Sequence, residues 1–257
     1  MCELFGVSAP EKIHINELLE RFFAHGTEHP HGWGLAFFEQ GNVAIEKQPE
    51  ASYKSVYLKQ RLRVKIEADQ MFAHIRLATK GSTDYENCHP FSIRDRYGRA
   101  WTMIHNGTIF ESEVLKHYVR IQHGGTDSER ILLYIVDCIN RAADEAGRAL
   151  DAAGRFAVID RVMDAITPEN KVNILLYDGE LFYAHTNLKD SLYISKKGRA
   201  AVFSTRPLDF SHWEPLPLNT LQAYDAGTLV YTGTDHGNEF FETEEKMRLL
   251  FMDYAGL

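Results

Sequence analysis

Cys2, Arg76, the pair Asn106-Gly107 and Asp127 are the residues of this chain whose types could together break an amide bond. If Met1 is removed, Cys2 becomes N-terminal and carries a thiol and a free α-amine on one Cα. The thiol is a nucleophile and the amine can act as its base. An α-amine titrates at about 7.7–8.0 and a thiol at about 8.5, so both lie within reach of neutral pH. Read alone, Cys2 is more simply an inert thiol at the start of an apolar strand. Thiolate attack on an amide carbonyl creates an oxyanion, which needs preorganised donors. Asn106 offers a side-chain amide and Gly107 an unhindered N–H; the competing reading of Asn-Gly is a type I′ hairpin turn. Arg76 can hold a carboxylate through two parallel hydrogen bonds, or can face water. Asp127 can face an ammonium, or can serve the first turn of a helix.

These residues punctuate apolar elements. Cys2 to Ser8 reads as a strand, and Ile15 to Phe23 has helical spacing. A strand pair, Gly34–Phe38 and Val43–Ile45, turns at Gln40-Gly41-Asn42. Tyr53 to Val64 reads as a helix, and Met71–Ala78 and Ala100–Ile109 as strands. Thr126-Asp127-Ser128-Glu129 has capping-box spacing. Behind it runs an apolar stripe of Ile131, Leu132, Ile135, Val136 and Ile139, and Cys138 in the same helix reads as a core thiol. A further helix covers roughly Gly154 to Ile166. Strands follow at Val172–Tyr177 and Leu181–His185, on either side of Asp178-Gly179, then at Leu192–Ile194, Ala200–Thr205 and Leu221–Tyr231. Strands, helices, then strands predict an α+β fold in a single domain over 1–257.

The composition excludes several classes. The chain has 257 residues, 44% of them hydrophobic and 25% charged, with a net charge of −8. Such a balance gives no general affinity for nucleic acid or anionic membrane. Three cysteines without regular spacing argue against a disulfide framework and a cysteine-based zinc site. No basic segment leads into an apolar stretch at the N-terminus, and no apolar run approaches a membrane span. The expected location is the cytoplasm. His25, His29 and His31, and His74, His89 and His105, lack a metal-binding pattern, so no metal and no organic cofactor is expected. Trp33, between two glycines, reads as a packing anchor whose glycines let strands approach closely.

The segments Met1-Cys2-Glu3-Leu4, Gly32-Trp33-Gly34, His74-Ile75-Arg76, Asn87-Cys88-His89-Pro90-Phe91, His105-Asn106-Gly107 and Thr126-Asp127-Ser128-Glu129 occur in an order that resembles the class II glutamine amidotransferases. These belong to the N-terminal-nucleophile hydrolases, and the likeness is to members without an attached synthase domain. The resemblance implies a four-layer αββα sandwich of two mostly antiparallel sheets. It implies Cys2 as nucleophile, Asn106 and Gly107 as oxyanion hole, and Arg76 and Asp127 as partners of the substrate carboxylate and ammonium. Leu77, Thr79 and Lys80 would complete the substrate contact, although Lys80 can equally face water. Two positions depart from the pattern: His31 stands where such relatives often have Asp, and Leu77 where synthase-linked relatives often have an aromatic residue. The expected substrate is glutamine or a γ-glutamyl compound. A synthase partner that receives ammonia is the second reading, and a silent γ-glutamyl-binding protein is the reading if Met1 stays in place.

Overall fold

Alternation along the strands decides which side chains share a space. The computed structural model describes residues 2–78, 81–246 and 248. In chain order its elements are β1 (Glu3–His14), α1 (Asn16–Ala24), β2 (Trp33–Glu39), β3 (Asn42–Gln48), α2 (Val56–Arg63), β4 (Glu67–Ile75), β5 (Phe91–Arg94), β6 (Ala100–Thr108), α3 (Glu113–Lys116), α4 (Asp127–Ala146) and α5 (Ala152–Ile166). The last third adds β7 (Lys171–Tyr177), β8 (Phe182–His185), β9 (Tyr193–Lys197), β10 (Ala200–Ser204), β11 (Glu214–Pro215), β12 (Gln222–Asp225) and β13 (Thr228–Thr232). One sheet runs β11-β9-β10-β1-β4-β2-β3 and the other β13-β12-β8-β7-β6-β5. The strand pairs in both are antiparallel.

Each sheet buries one face under helices. Phe5, Val7, Met71, Ala73 and Ile75 pack with Leu18, Leu19, Phe22 and Phe23 of α1. On the second sheet Trp101, Met103, Val172, Ile174 and Leu176 pack with the apolar stripes of α4 and α5. Between the sheets lies a third cluster containing Leu4, Phe72, Ile104, Leu175, Phe182 and Phe203. The result is the expected αββα sandwich. Because side chains alternate with a period of two, Cys2 shares the inter-sheet side with Leu4, His74 with Phe72, Asn106 with Ile104, and Lys171 and Asn173 with Leu175. A Cβ at Gly6 would stand 2.8 Å from both Leu175 and Phe182, so a glycine at that position lets the sheets come together.

The structure departs from the sequence reading at several elements. β5 pairs with β6 from Phe91↔Met103 to Arg94↔Ala100 and escaped notice because four residues show little periodicity. The stretch Leu221–Tyr231, read as one strand, is a hairpin. Ala226 and Gly227 both have positive φ (45° and 81°) at its two-residue turn, the conformation a type I′ turn requires. Asn106-Gly107, by contrast, lies inside β6 as the strand Ala100–Ile109 predicts, opposite Asn173 and Val172, and the competing turn does not form. Cys138 is half-buried at the edge of its core and accepts a hydrogen bond from Arg141 (3.2 Å). In the capping box Thr126 Oγ1 accepts from Glu129 N (3.3 Å), but the Glu129 carboxylate reaches back to His123 N and Gly124 N (2.8 Å each). Among the described residues no helix is long and apolar enough to cross a membrane.

Asp178 closes the β7–β8 connection, where Tyr177 pairs with Phe182. Its Oδ1 accepts from Glu180 N and Leu181 N (2.9 and 2.7 Å). Its Oδ2 accepts from Arg155 Nε of α5 (2.7 Å) and from the Tyr183 hydroxyl (2.9 Å). Both members of this ion pair are buried, at 3% and 0% side-chain exposure. Arg155→Ala would leave the more distant Arg99, 3.7 Å away, as the cation nearest this buried carboxylate among the described residues. Breaking such a pair costs about 3–5 kcal/mol. Denaturant unfolding of the variant is expected to show that loss, whereas a change within about 0.5 kcal/mol would mean that the pair does not hold α5 to β7.

Candidate active site

Cys2 sits one residue before the first residue of β1 that pairs with β4, at Glu3↔Ile75. The neighbouring Glu3 is buried on the opposite face. His25 Nδ1 lies 2.8 Å from its Oε2, and Arg206 Nε lies 2.7 Å from its Oε1 as an ion pair off the hydrogen-bond axis. A buried carboxylate survives only when matched in this way, and the match fixes the start of β1. The Cys2 thiol donates to the Leu77 carbonyl (Sγ···O 3.6 Å). Burial pushes this thiol up, while the Arg76 guanidinium pulls it back down.

Arg76 follows the last residue of β4. It is 2% exposed, which removes the reading of a solvated surface arginine. Its backbone continues the pairing of β4 with β2, through Arg76 N→Gly32 O (2.8 Å) and His31 N→Arg76 O (3.0 Å). The guanidinium donates to the carbonyls of Ser82 (2.8 Å) and Gly81 (3.2 Å), so it also holds the start of the next loop. His31 braces the preceding stretch: its Nδ1 accepts from Ala78 N (2.9 Å), which leaves Nε2 to carry the proton. Burial first, and Arg76 second, keep its pKa below the ordinary value and the ring neutral. An Asp at this position could accept the same hydrogen bond from Ala78 N. Thr79 and Lys80 lie outside the described residues.

Asn106 and Gly107 reach the site from the other sheet. Asn106 is 2% exposed, and its Oδ1 makes no hydrogen bond among the described residues. Gly107 has no room for a side chain, since a Cβ there would stand 2.0 Å from the Lys171 carbonyl oxygen and 2.3 Å from His105 Nε2. His105 points the other way, with Nδ1 2.9 Å from Ser128 Oγ, and so ties β6 to the first turn of α4. Asp127 in that turn is 5% exposed, and its Oδ2 accepts from Ile109 N (2.7 Å) just past β6. Asp127 thus belongs to the same end of the gap and contributes to the electrostatic environment of Cys2.

The loop motifs act as supports. Asn87 Oδ1 accepts from Gly125 N (2.7 Å), and its Nδ2 donates to Ser82 O (3.0 Å), which links the loop after Arg76 to the one before Asp127. The two glycines around Trp33 serve a different approach from the expected strand–strand one. A Cβ at Gly34 would stand 2.0 Å from the His89 carbonyl, and one at Gly32 2.8 Å from Cys88 Sγ. Trp33 is the expected packing anchor, 1% exposed and stacked on Tyr57 (6.1 Å). The histidines are packing groups as well. His74 Nε2 donates to the His105 carbonyl (3.2 Å), its ring stacks on His89 (4.0 Å), and burial pushes it down to about 3. Among the described residues no three His, Cys, Asp or Glu side chains gather as ligands of a metal ion. Sequence reasoning gave no role to Asn87, Ser128, Glu3 or Lys171. Asn87, Ser128 and Glu3 stand in motif segments and could have been singled out; Lys171 carried no local signal.

The family model described as glutamine amidotransferases class-II matches residues 1–198. YafJ of Escherichia coli, a candidate glutamine amidotransferase, is 31% identical over 73% of this chain and 74% of its own length. The uncharacterised protein MJ1515 of Methanocaldococcus jannaschii is 27% identical over 90% of this chain and 71% of its own. Among solved structures, the glutamine phosphoribosylpyrophosphate amidotransferase of B. subtilis aligns with a TM-score of 0.66 at 15% identity. That alignment covers 91% of this chain and 49% of the larger enzyme. A glutamine amidotransferase predicted in Pseudomonas aeruginosa aligns with a TM-score of 0.62 at 20% identity, over 90% of this chain and all of its own. The family match over most of the sequence, carried on two antiparallel sheets between helices, makes this chain a member of the class II glutamine amidotransferases.

Proposed function

We propose that the chain hydrolyses the side-chain amide of glutamine or a related γ-glutamyl compound through a thioester on Cys2, once Met1 is removed. The observation that carries this reading is the convergence of Cys2, Arg76, Asn106 and Asp127 at one end of the inter-sheet gap. The thiol sulfur attacks the amide carbon, and its proton passes to the α-amine of Cys2. The oxyanion so formed takes hydrogen bonds from the Asn106 side chain and the Gly107 N–H. The C–N bond then breaks, the α-ammonium returns the proton, and ammonia or an amine departs. Water attacks the γ-glutamyl thioester along the same path, with the amine again as base, and frees Cys2. Arg76 and Asp127 supply the cation and the anion that a zwitterionic γ-glutamyl group requires.

A hydrolysis screen over glutamine, γ-glutamyl peptides and γ-glutamyl amines tests the proposal, with protein confirmed by intact mass to begin at Cys2. Turnover of at least one of these is expected, with none by Cys2→Ala. Inertness toward all three would reject the reading. Asn106→Ala is expected to lower kcat by about 10²–10³ with KM nearly unchanged, the pattern of a donor used in the transition state. An unchanged kcat would reduce Asn106 to a strand residue.

Asp127→Asn is a clean charge test, because an Asn Oδ1 can still accept from Ile109 N. The variant is expected to raise KM for substrates with a free α-amine far more than for N-acylated ones. The expected loss of apparent affinity is about 2–5 kcal/mol, the scale for removing one partner of a desolvated charge pair. Equal effects on both substrate types would return Asp127 to the helix terminus alone.

A further inference from the structure

Lys171 is a buried cation that the amide chemistry above does not use. It opens β7 opposite Thr108, next to the Gly107↔Val172 pair. Alternation places it on the inter-sheet side with Asn173 and Leu175, the side shared by Cys2 and Asn106. Its side chain is 3% exposed, and its Nζ lies 3.9 Å from Glu242 Oε1. Lysine is rarely buried to this degree without a task for its charge. The carboxylate comes from the segment that follows β13, beyond the part of the chain that the family model matches. That segment is tied down by Phe240 N→Asn187 O (2.7 Å), by Asn187 Nδ2→Asn238 O (3.0 Å) and by Phe240 stacked on Phe110 (5.9 Å).

We propose that Lys171, set by Glu242, is a positioning cation that makes the nucleophile at Cys2 give up its proton more readily. This assignment rests on the reading of Cys2 as the nucleophile. The pair of thiol and α-ammonium carries one positive charge, and after loss of a proton it is neutral. A nearby fixed cation therefore favours the reactive form, whichever of the two groups holds the remaining proton. Burial pushes the Lys171 ammonium down to about 8, against the upward pull of Glu242 and of Cys2 itself. Lys171 is thus charged at neutral pH and loses its effect in alkaline solution. Among the described residues, the groups facing the two partners include Arg76, Asp127 and Cys88 around Cys2, and Glu242 and His105 around Lys171. Arg76 acts in the same direction as Lys171, and Asp127 opposes it.

The test is the pH dependence of Cys2 alkylation by iodoacetamide, read by peptide mapping so that Cys88 and Cys138 are counted separately. Wild type, Lys171→Met, Lys171→Arg and Glu242→Gln are compared. Lys171→Met keeps the length of the side chain and removes the charge. Its acid limb is expected to move upward by about one pH unit, which is about tenfold slower labelling on the acid side. Lys171→Arg is expected to stay near wild type. Glu242→Gln, at a part-exposed position, removes the carboxylate that keeps Lys171 charged and is expected to shift the limb upward by less than Lys171→Met does. A Lys171→Met profile that superimposes on wild type overturns the proposal. If that variant does not fold, an unshifted or downward-shifted Glu242→Gln profile overturns it instead. Alkylation needs no turnover, so a protein that hydrolyses no γ-glutamyl compound yet shows these shifts would reject the functional reading and leave the role of Lys171 standing.

Discussion

A residue at the very start of a chain can be a well-placed nucleophile only if the next residue cannot move, and here the buried carboxylate of Glu3 supplies that constraint. It lies on the helix side of β1, held by His25 from α1's C-terminal end and by Arg206 from the loop after β10. β1 is also central in its sheet, paired with β4 on one side and β10 on the other. Losing these partners would leave a desolvated charge beneath the start of β1, at a cost of several kcal/mol. The position of Cys2 against Leu77, Arg76 and the opposite sheet depends on this one anchored residue.

The second constraint is the distance between the sheets. The proposed nucleophile and carboxylate-binding group come from the first sheet, the proposed oxyanion donors from the second, and the proposed ammonium partner from the helix above it. Gly6 and Gly107 omit side chains where the layers or strands come closest. The polar residues in the gap lie at the strand ends beyond the shared apolar cluster of Leu4, Phe72, Ile104 and Leu175. Burial there raises the thiol and depresses Lys171, so Arg76, Asp127 and Lys171 act on Cys2 through a medium that screens them poorly.

Much of this was legible before any coordinates. The helices α1, α2, α4 and α5 were all legible, α1 by its spacing and α4 by its stripe and cap, and the β2–β3 hairpin by its turn at Gln40-Gly41-Asn42. The order of the motif segments pointed to the site and the sandwich. Other features depended on contacts far apart in sequence. The strand pattern of Ala100–Ile109 competed with the turn preference of Asn106-Gly107, and what decides for the strand is pairing with β7, more than sixty residues on. The hairpin inside Leu221–Tyr231 hid behind Ala226, which adopts a positive φ although its side chain gives no hint of it. Glu3 and Lys171 look like ordinary charged residues until the fold removes them from water.

The account's central claim is a covalent γ-glutamyl intermediate on the first residue of the mature chain. Acid quenching during turnover of a hydrolysed γ-glutamyl substrate, followed by mass mapping, tests it most directly, with Asn106→Ala included to slow the cycle. The account predicts a γ-glutamyl adduct on the peptide that begins with Cys2, labile to hydroxylamine and absent from Cys2→Ala. An adduct on Cys88 or Cys138, or undiminished turnover by Cys2→Ala, would contradict it.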